Sequence, residues 1–187
     1  MRGYTPGVDT TKLPLCVDLD GTLIEGDASW MSVRTLFKRS PFVAIGLLHL
    51  FFIDRAKFKH ELSRRYVPDP ATLTFIPEVV AFAKEQRAAG RIVVLATASN
   101  IAIATRVAEH LACFDEVIAS DEHTFRGGPG KAKALVERFG DKGFVYAGNE
   151  VRDIPVWAAA AAAILVRVPA PVAAVAKKRF VIEREFA

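Results

Sequence analysis

Two carboxylates in the segment Asp18-Leu19-Asp20-Gly21-Thr22 are the residues best suited to chemistry in this chain. The apolar run from Leu13 to Leu19 is typical of a short buried strand, and residues spaced i, i+2 in a strand point to the same side. Gly21 then allows the chain to turn sharply out of the sheet. Because open α/β sheets bind ligands at the carboxyl ends of their strands, we expect Asp18 and Asp20 to serve in metal binding or acid/base chemistry.

A hydroxyl-bearing turn follows a second apolar run. Val93 to Ala96 leads into Thr97-Ala98-Ser99-Asn100, and a helical pattern comes next. A hydroxyl beside the free N–H groups at the start of a helix makes a good phosphate-binding site, because the hydrogen-bond donors and the helix dipole both favour an anion. Ordinary helix capping by Ser99 or Asn100 is the alternative interpretation.

A lysine stands at the start of a later helical pattern. The flexible loop Gly127-Gly128-Pro129-Gly130-Lys131 would deliver its ammonium to a site at a helix start. The segment is not a P-loop, because Phe125 occupies the position of the first required glycine and Ala132 replaces the Ser or Thr. A surface lysine without a role is the alternative.

Acid and amide oxygens follow a further apolar run. This run ends at Ala147, and Gly148-Asn149-Glu150-Val151-Arg152-Asp153 comes directly after it. Carboxylate and amide oxygens are the ligands that hard cations prefer, so the segment is a candidate cation site. Helix capping by Asp153 is the alternative.

The elements that must position these groups alternate between short β-like runs and longer helical patterns. This alternation predicts an α/β fold with a central parallel sheet and helical crossovers. Besides Leu13 to Leu19, the predicted strands are Arg91 to Ala96, Glu116 to Ala119, Phe144 to Ala147 and Ala163 to Val168. The predicted helices are Pro77 to Ala89, Asn100 to Ala112, Gly130 to Phe139, Ile154 to Ala162 and one that starts near Pro171.

Residues 27–66 interrupt the alternation, because they hold helical patterns with no strand among them. We interpret this stretch as a helical insertion and assign residues 1–26 and 67–187 to the α/β core. The segment Val67-Pro68-Asp69-Pro70, followed by Pro77, marks the return of the chain to that core.

The insertion contains the apolar stretch Phe42 to Ile53, in which only His49 is clearly polar. Twelve residues are too few to cross a bilayer, which takes about 20. We therefore expect a buried helix, and a helix lying in a membrane surface is the alternative. The basic residues that would suit the second case are Lys38, Arg39, Arg55, Lys57 and Lys59.

Composition excludes several classes of protein. The 187 residues, 51% of them hydrophobic, suit one domain with a modest insertion. Lys and Arg exceed Asp and Glu by four, which favours anionic ligands or anionic lipid but is too little for a nucleic-acid-binding protein. Two cysteines, Cys16 and Cys113, are too few for a disulfide scaffold, and we expect a buried free thiol at Cys16. The first eleven residues lack the apolar segment of a signal peptide, so a cytoplasmic location is expected.

The order and spacing of the four polar segments resemble the haloacid dehalogenase (HAD) superfamily of phosphohydrolases over nearly the whole chain. Asp18 to Thr22 resembles the first family motif, Thr97 the second, Lys131 the third, and Gly148 to Asp153 the fourth. The resemblance implies a Rossmann-like three-layer sandwich in which residues 27–66 form a small helical C1 cap. A closer resemblance, to the HAD-like domain at the amino end of some UbiA-type prenyltransferases, rests on Pro14 to Ile24, Leu95 to Ser99 and Tyr146 to Gly148.

The resemblance implies a Mg²⁺-dependent phosphomonoester hydrolase that works through an aspartyl-phosphate. Asp18 would be the nucleophile, and Asp20 would act first as general acid and then as general base. Thr97 and Lys131 would complete the catalytic set by stabilising charge on the phosphoryl group. The phosphate-binding residues would be Gly21, Thr22, Thr97, Ala98 and Lys131. The Mg²⁺ ligands would come from Asp18, Asp20, Asn149 and Asp153.

Position 149 departs from the family pattern, since it is Asn where the fourth motif normally has Asp. The lost negative charge predicts a lower affinity for Mg²⁺, which Asp153 could offset. The alternative to an active hydrolase is a protein that binds phosphate but turns over weakly. In that case the chain is a catalytically weakened phosphate-binding module that serves a membrane prenyltransferase.

The apolar helix of the cap and the resemblance to prenyltransferase-linked domains imply a lipid-like leaving group. We therefore expect the substrate to be a prenyl-linked phosphate or phosphosugar, with the protein peripheral to the inner face of the membrane. The simpler interpretation of Phe42 to Ile53 is that this stretch forms the core of the cap itself.

Overall fold

The apolar runs of the sequence form one parallel six-stranded sheet, in the strand order β3-β2-β1-β4-β5-β6. The structure is a computed structural model, and it describes residues 9–187. The strands are β1 Leu15–Val17, β2 Val93–Asn100, β3 Glu116–Ser120, β4 Val145–Gly148, β5 Ala162–Val166 and β6 Ile182–Phe186. The strand β1 thus lies in the interior of the sheet, and its three residues are fully buried.

Helices connect the strands and cover both faces of the sheet. They are α1 Ala28–Arg39, α2 Pro41–Ile53, α3 Arg55–Arg65, α4 Pro77–Ala88, α5 Ile101–Leu111, α6 Gly128–Phe139, α7 Ile154–Ala159 and α8 Ala170–Arg179. Successive residues of a strand face the helical layers on opposite sides of the sheet. Val17 packs in one core with the residues of α4 and α5, whereas Cys16 packs in a second core with those of α6, α7 and α8. The predicted three-layer α/β sandwich is confirmed.

The strand register brings the polar segments to one edge of the sheet. Val17, the last residue of β1, pairs with Leu95 of β2 and with Ala147 of β4. Asp18, Thr97 and Gly148 therefore follow these paired residues at the carboxyl ends of three neighbouring strands. Ligands of open α/β sheets bind at this edge.

The five predicted strands all form, and most of their bounds shift by one to four residues. The predicted helix Ile154 to Ala162 ends at Ala159, because Ala162 already belongs to β5. One strand, β6, was not predicted at all. Its sequence Ile-Glu-Arg-Glu-Phe carries three charged residues, which is unusual for a strand of a parallel sheet but acceptable at the sheet edge where β6 lies.

The helices α1, α2 and α3 lie between β1 and β2 in the chain and share a small apolar core of their own, built around Val33, Leu47, Phe58 and Leu62. The expected burial of Phe42 to Ile53 is correct for one face of α2 only. Ala44 and Leu47 are buried, whereas the opposite face is exposed. Among the residues that the structure describes, no helix has the length and apolar character needed to span a membrane.

Candidate active site

A buried ion pair joins the end of β1 to the start of α6. Lys131 Nζ donates a hydrogen bond of 2.6 Å to Oδ1 of Asp18, and both side chains are almost fully buried. Burial raises the pKa of Asp18 to about 7, although the Lys131 ammonium acts in the opposite direction. Burial would lower the pKa of Lys131, but the carboxylates of Asp18 and Asp153 outweigh it and hold that pKa above its usual value. The alternative interpretation of Lys131 as a surface lysine is therefore excluded, since it is a buried partner of Asp18.

Tyr146 connects Lys131 to the fourth polar segment. Lys131 Nζ donates to the Tyr146 hydroxyl over 2.5 Å, and that hydroxyl donates to Oδ1 of Asp153 over 2.8 Å. The distance from Lys131 Nζ to Asp153 Oδ1 is 3.8 Å. Sequence reasoning missed Tyr146, because a residue inside an apolar strand is expected to be core. The one available signal was its phenol hydroxyl, which needs a hydrogen-bond partner when it is buried.

The carboxylate of Asp20 is fixed at both oxygens. Ser99 Oγ donates to Oδ2 over 2.6 Å, and the backbone N–H of Ala28 donates to Oδ1 over 2.7 Å. The hydroxyl of Ser29 lies 3.2 Å from that of Ser99. Burial is the main reason why the pKa of Asp20 is raised, and Asp27 raises it further. A raised pKa suits a carboxyl group that must donate a proton.

The first and fourth polar segments touch through Asn149. Thr22 Oγ1 donates to the amide oxygen of Asn149 over 3.3 Å. Gly21 has a φ of +75°, and a Cβ atom at this position would lie 2.1 Å from the Asn149 amide nitrogen. Only glycine therefore allows both the turn after Asp20 and the close approach of Asn149.

Asp153 has a local capping role as well as its contact with Tyr146. Its Oδ2 accepts hydrogen bonds from the backbone N–H groups of Asn149, at 2.9 Å, and Glu150, at 3.1 Å. Gly148 leaves room for this arrangement, because a Cβ atom there would lie 2.6 Å from Asp153 Oδ2 and 2.8 Å from Tyr146 Cε1. The capping interpretation of Asp153 thus holds, and the same carboxylate also faces Lys131.

Thr97 is fully buried and has a local partner. Its Oγ1 accepts a hydrogen bond of 2.9 Å from the backbone N–H of Ser99. This contact lies within β2, which extends to Asn100, so the turn predicted at Thr97 to Asn100 is instead the last part of the strand. Asn100 caps α5 by accepting a hydrogen bond from the N–H of Ala102, as the capping interpretation of this segment expected.

A cavity of about 490 Å³ opens beside these groups. It is bounded by five of the predicted site residues, namely Asp18, Asp20, Ala98, Lys131 and Asp153. Among the described residues, the remaining predicted ones do not contribute to its wall; they are Gly21, Thr22, Thr97 and Asn149. Three of these, Gly21, Thr97 and Asn149, lie next to wall residues in the chain.

Part of the cavity wall comes from α2 and α3, a contribution that the sequence did not reveal residue by residue. Arg55 and Lys59 supply cations, and Phe51 and Phe58 supply aromatic surface. Lys59 Nζ also donates to the backbone carbonyl of Ala98 over 2.7 Å. This hydrogen bond links α3 directly to the carboxyl-terminal part of β2.

The oxygen atoms around Asp18 are candidate ligands for a divalent cation. Within residues 9–187, no three His, Cys, Asp or Glu side chains form a cluster of the kind that binds a metal. Asp18 uses Oδ1 for Lys131, however, and its Oδ2 accepts no hydrogen bond from any described residue. Mg²⁺ needs only one or two carboxylates, because it keeps several waters and also accepts neutral carbonyl ligands. Asp18 Oδ2 and the Asp20 backbone carbonyl, with Asp153 and the Asn149 amide oxygen, would therefore suit Mg²⁺ as a set of few protein ligands. Asp153 and the Asn149 amide oxygen already accept hydrogen bonds from other groups of the site.

The chain matches a known protein family over most of its length. Residues 15–163 match the model of the haloacid dehalogenase-like hydrolases. The chain belongs to this family. The HAD match confirms the predicted superfamily and the predicted enzyme class, a hydrolase, and it covers all four polar segments.

Individual proteins resemble this chain in sequence or in fold. A protein of Sinorhizobium fredii named y4nM is 34% identical over 155 residues, which are 83% of this chain and 30% of that protein. The chain thus spans less than a third of that relative. A solved structure of a protein of unknown function from Bordetella pertussis matches with a TM-score of 0.69 at 18% identity, covering 91% of this chain and 97% of that one. A phosphoserine phosphatase in its apo form matches with a TM-score of 0.62 at 14% identity, covering 94% and 93%.

Proposed function

We propose that this HAD protein is a Mg²⁺-dependent phosphomonoester hydrolase that forms an aspartyl-phosphate on Asp18. The observation that carries the proposal is the buried contact of 2.6 Å between Asp18 and Lys131 at the wall of a cavity. The ammonium holds one carboxylate oxygen and leaves Oδ2 as the candidate nucleophile. The similar fold of phosphoserine phosphatase supports this choice of substrate class.

The residues account for both halves of a phosphate-ester hydrolysis. Asp18 Oδ2 attacks phosphorus, the bond from phosphorus to the ester oxygen breaks, and Asp20 gives its proton to the leaving alcohol. Asp20 then takes a proton from water, whose oxygen attacks phosphorus. The bond between phosphorus and Asp18 breaks, and inorganic phosphate leaves with the carboxylate restored.

Charge stabilisation falls to groups around the nucleophile. Lys131 neutralises charge on the phosphoryl group and on Asp18. The phosphoryl oxygens would be held by Gly21, Thr22, Thr97 and Ala98. Of these, Ala98 lines the cavity, whereas the other three lie behind its wall. Bound Mg²⁺ would add Lewis-acid charge at the phosphoryl oxygens, with Asp18, Asp20, Asn149 and Asp153 as its ligands.

The helices of residues 27–66 act as a cap that shapes the leaving-group side of the cavity. Phe51, Phe58 and Phe125 give this side aromatic walls, which favour an apolar portion in the substrate. We propose a prenyl-linked phosphate or phosphosugar as the substrate, taken at the cytoplasmic face of a membrane. We propose a membrane prenyltransferase as a partner, on the resemblance of residues 14–24, 95–99 and 146–148 to prenyltransferase-linked domains.

One observation favours a second candidate, a phosphate-binding module with weakened turnover. Asn149 removes a negative charge from the metal ligands, and its amide oxygen is already engaged by Thr22. A module of this kind would still bind phosphate near Lys131 and would serve a partner enzyme. Phosphate binding without release of phosphate from any monoester would distinguish it.

The test measures phosphate release from soluble phosphosugars and from polyprenyl-linked phosphates, with Mg²⁺ and after its removal by a chelator. Wild-type protein should release phosphate only with Mg²⁺, and the Asp18→Asn variant should be inactive. Faster turnover of the polyprenyl-linked esters supports the lipid-linked substrate, and equal turnover of both classes rejects it. Activity that survives Asp18→Asn rejects the aspartyl-phosphate route.

A further inference from the structure

The outward face of α2 is an apolar surface without a partner in the part of the chain that the structure describes. Phe42, Phe52 and Ile53 are 86%, 83% and 78% exposed, and Ile45 is 58% exposed. These residues and the exposed Gly46 and His49 recur at i, i+3, i+4, i+7, i+10 and i+11, which places them on one side of the helix. The opposite side packs against α1 and α3, so α2 is apolar on both faces. A solvated surface helix normally has a polar outer face.

Basic residues border this surface at both ends of α2. Lys38 and Arg39 precede the helix, Arg55 and Lys57 follow it, and all four are exposed. Residues 27–66 contain eight Lys and Arg against three Asp and Glu, a surplus of five. The whole chain has a surplus of four, so the remaining residues are slightly acidic in total. All of the net positive charge therefore resides in the segment that carries the apolar surface.

The distribution of charge around the apolar surface distinguishes between its possible binding partners. A second copy of the chain would bring two positively charged caps together around a shared two-fold axis, and like charges oppose that contact. An anionic bilayer offers hydrocarbon beneath negative headgroups, which matches an apolar strip bordered by cations. At about 1.5 Å per residue, the thirteen residues of α2 extend about 20 Å, a length suited to lying along the surface rather than crossing it.

The apolar surface also adjoins the cavity. Phe51 and Arg55 belong to the cavity wall, and the exposed pair Phe52 and Ile53 lies between them in the chain. The Arg55 guanidinium stacks over the Phe51 ring at 5.1 Å. The same turn between α2 and α3 thus contributes to both the cavity and the exposed strip.

We propose that the outward face of α2 docks the protein onto an anionic lipid bilayer, with Phe42, Ile45, Phe52 and Ile53 inserted among the headgroups. The basic residues at either end of α2 contact lipid phosphates. The turn between α2 and α3 then lies at the lipid surface, where a lipid-linked ester can enter the cavity. This last step rests on the proposed function, whereas the docking itself needs no catalysis.

The experiment is sedimentation of the full chain with vesicles of phosphatidylcholine alone or of equal parts phosphatidylcholine and phosphatidylglycerol. We expect binding to the anionic vesicles, weakened by salt, and little binding to the neutral ones. The double variant Phe42→Ser/Ile53→Ser should lower the affinity for anionic vesicles at least about tenfold. The control Val175→Ser removes a 40% exposed apolar side chain from α8, which also carries basic residues, and should bind like wild type.

Several outcomes would overturn the docking proposal. They are absence of binding to anionic vesicles, equal binding to neutral ones, and unchanged binding by the double variant. A dimer in light scattering that the double variant dissociates, without vesicle binding, would assign the surface to a second copy. Circular dichroism and urea unfolding of the same samples show that the double variant is folded, and hydrolysis of a soluble monoester is measured beside them. If wild type binds vesicles but hydrolyses no ester, the proposed function fails while the docking proposal stands.

Discussion

Asp20 accepts a hydrogen bond of 2.7 Å from the backbone N–H of Ala28, the first residue of α1. The proposed acid/base group is thereby attached to α1, the first helix of the segment that we propose as a cap. Ser99, at the end of β2, holds the other carboxylate oxygen. The position of the proton-donating carboxyl therefore depends on the cap and the core together.

The contact between Ser99 and Asp20 predicts a selective defect in proton transfer. Ser99→Ala leaves Asp20 with one hydrogen bond, so we expect kcat for alkyl phosphates to fall about tenfold. Aryl phosphates should be much less affected, because their leaving groups need little protonation. Asp20→Asn should show the same dependence on the leaving group more steeply. The measurement is kcat across esters of graded leaving-group pKa.

Ser32→Ala is the matched control for that series. Ser32 is a buried serine whose hydroxyl donates to a backbone carbonyl, that of Ala28, rather than to Asp20. Its removal should leave the dependence on the leaving group unchanged. Equal loss with alkyl and aryl esters in Ser99→Ala would show that Ser99 is merely structural.

Tyr146 is predicted to position Lys131. In Tyr146→Phe, Lys131 loses a hydrogen-bond acceptor and Asp153 loses a donor, while the ring remains. We expect kcat to fall about tenfold with little change in KM, and the free energy of unfolding to drop by about 1–3 kcal/mol. Steady-state kinetics and urea unfolding provide the two readouts. The control Tyr66→Phe removes a less buried phenol hydroxyl and should change neither kcat nor the free energy of unfolding. A wild-type kcat in Tyr146→Phe would contradict the positioning role of Tyr146.

Asn149 is predicted to limit the affinity for Mg²⁺. Replacing it with Asp restores a negative charge beside the proposed ligands, so the half-saturating Mg²⁺ concentration should fall about tenfold. Asn149→Ala removes the amide oxygen and should raise that concentration. The measurement is phosphate release during a Mg²⁺ titration of the three proteins. Identical titrations would show that position 149 does not contribute to the metal site.

Arg91 is predicted to be a major stabilising residue of the core. Its buried guanidinium donates to Glu183 in β6, to Gln86, and to the backbone carbonyls of Leu13 and Thr10. Arg91→Met leaves Glu183 without its partner, and we expect a loss of about 3–5 kcal/mol in the free energy of unfolding. Urea unfolding measures this loss. Arg138→Met breaks a pair that is exposed to solvent, and it should cost far less. Similar losses in the two variants would contradict this role for Arg91.

Much of the core fold was predictable because its strands are strongly apolar. The run before Asp18 and the run before Thr97 end at polar turns, so both the strands and the edge where they meet could be inferred. The strand β6 could not, since its charged residues are typical of a surface loop. It is placed by its pairing with β5 and by the ion pair of Glu183 with Arg91. Pairing of that kind is tertiary information.

The candidate site was predictable at its carboxylates and its lysine but not in its supporting contacts. Asp18 and Asp20 stand out by their spacing at the end of an apolar strand. Lys131 was distinguished from a surface lysine only by the resemblance to the HAD family. Tyr146 and Ser99 are acceptable residues for a strand and a helix cap. Their roles follow only from distances between neighbouring strands. Similarly, the apolar character of α2 was evident, but its exposure depends on which face α3 covers.

The central claim is that Asp18 carries the phosphoryl group. The most direct measurement is acid quenching during turnover of a phosphomonoester with Mg²⁺, followed by mass spectrometry of the peptide that contains Asp18. We predict a mass gain of one phosphoryl group on Asp18 in wild type and none in Asp18→Asn, which should also release no phosphate. Phosphate release from wild type without this adduct, or with the phosphoryl group on another residue, would contradict the claim.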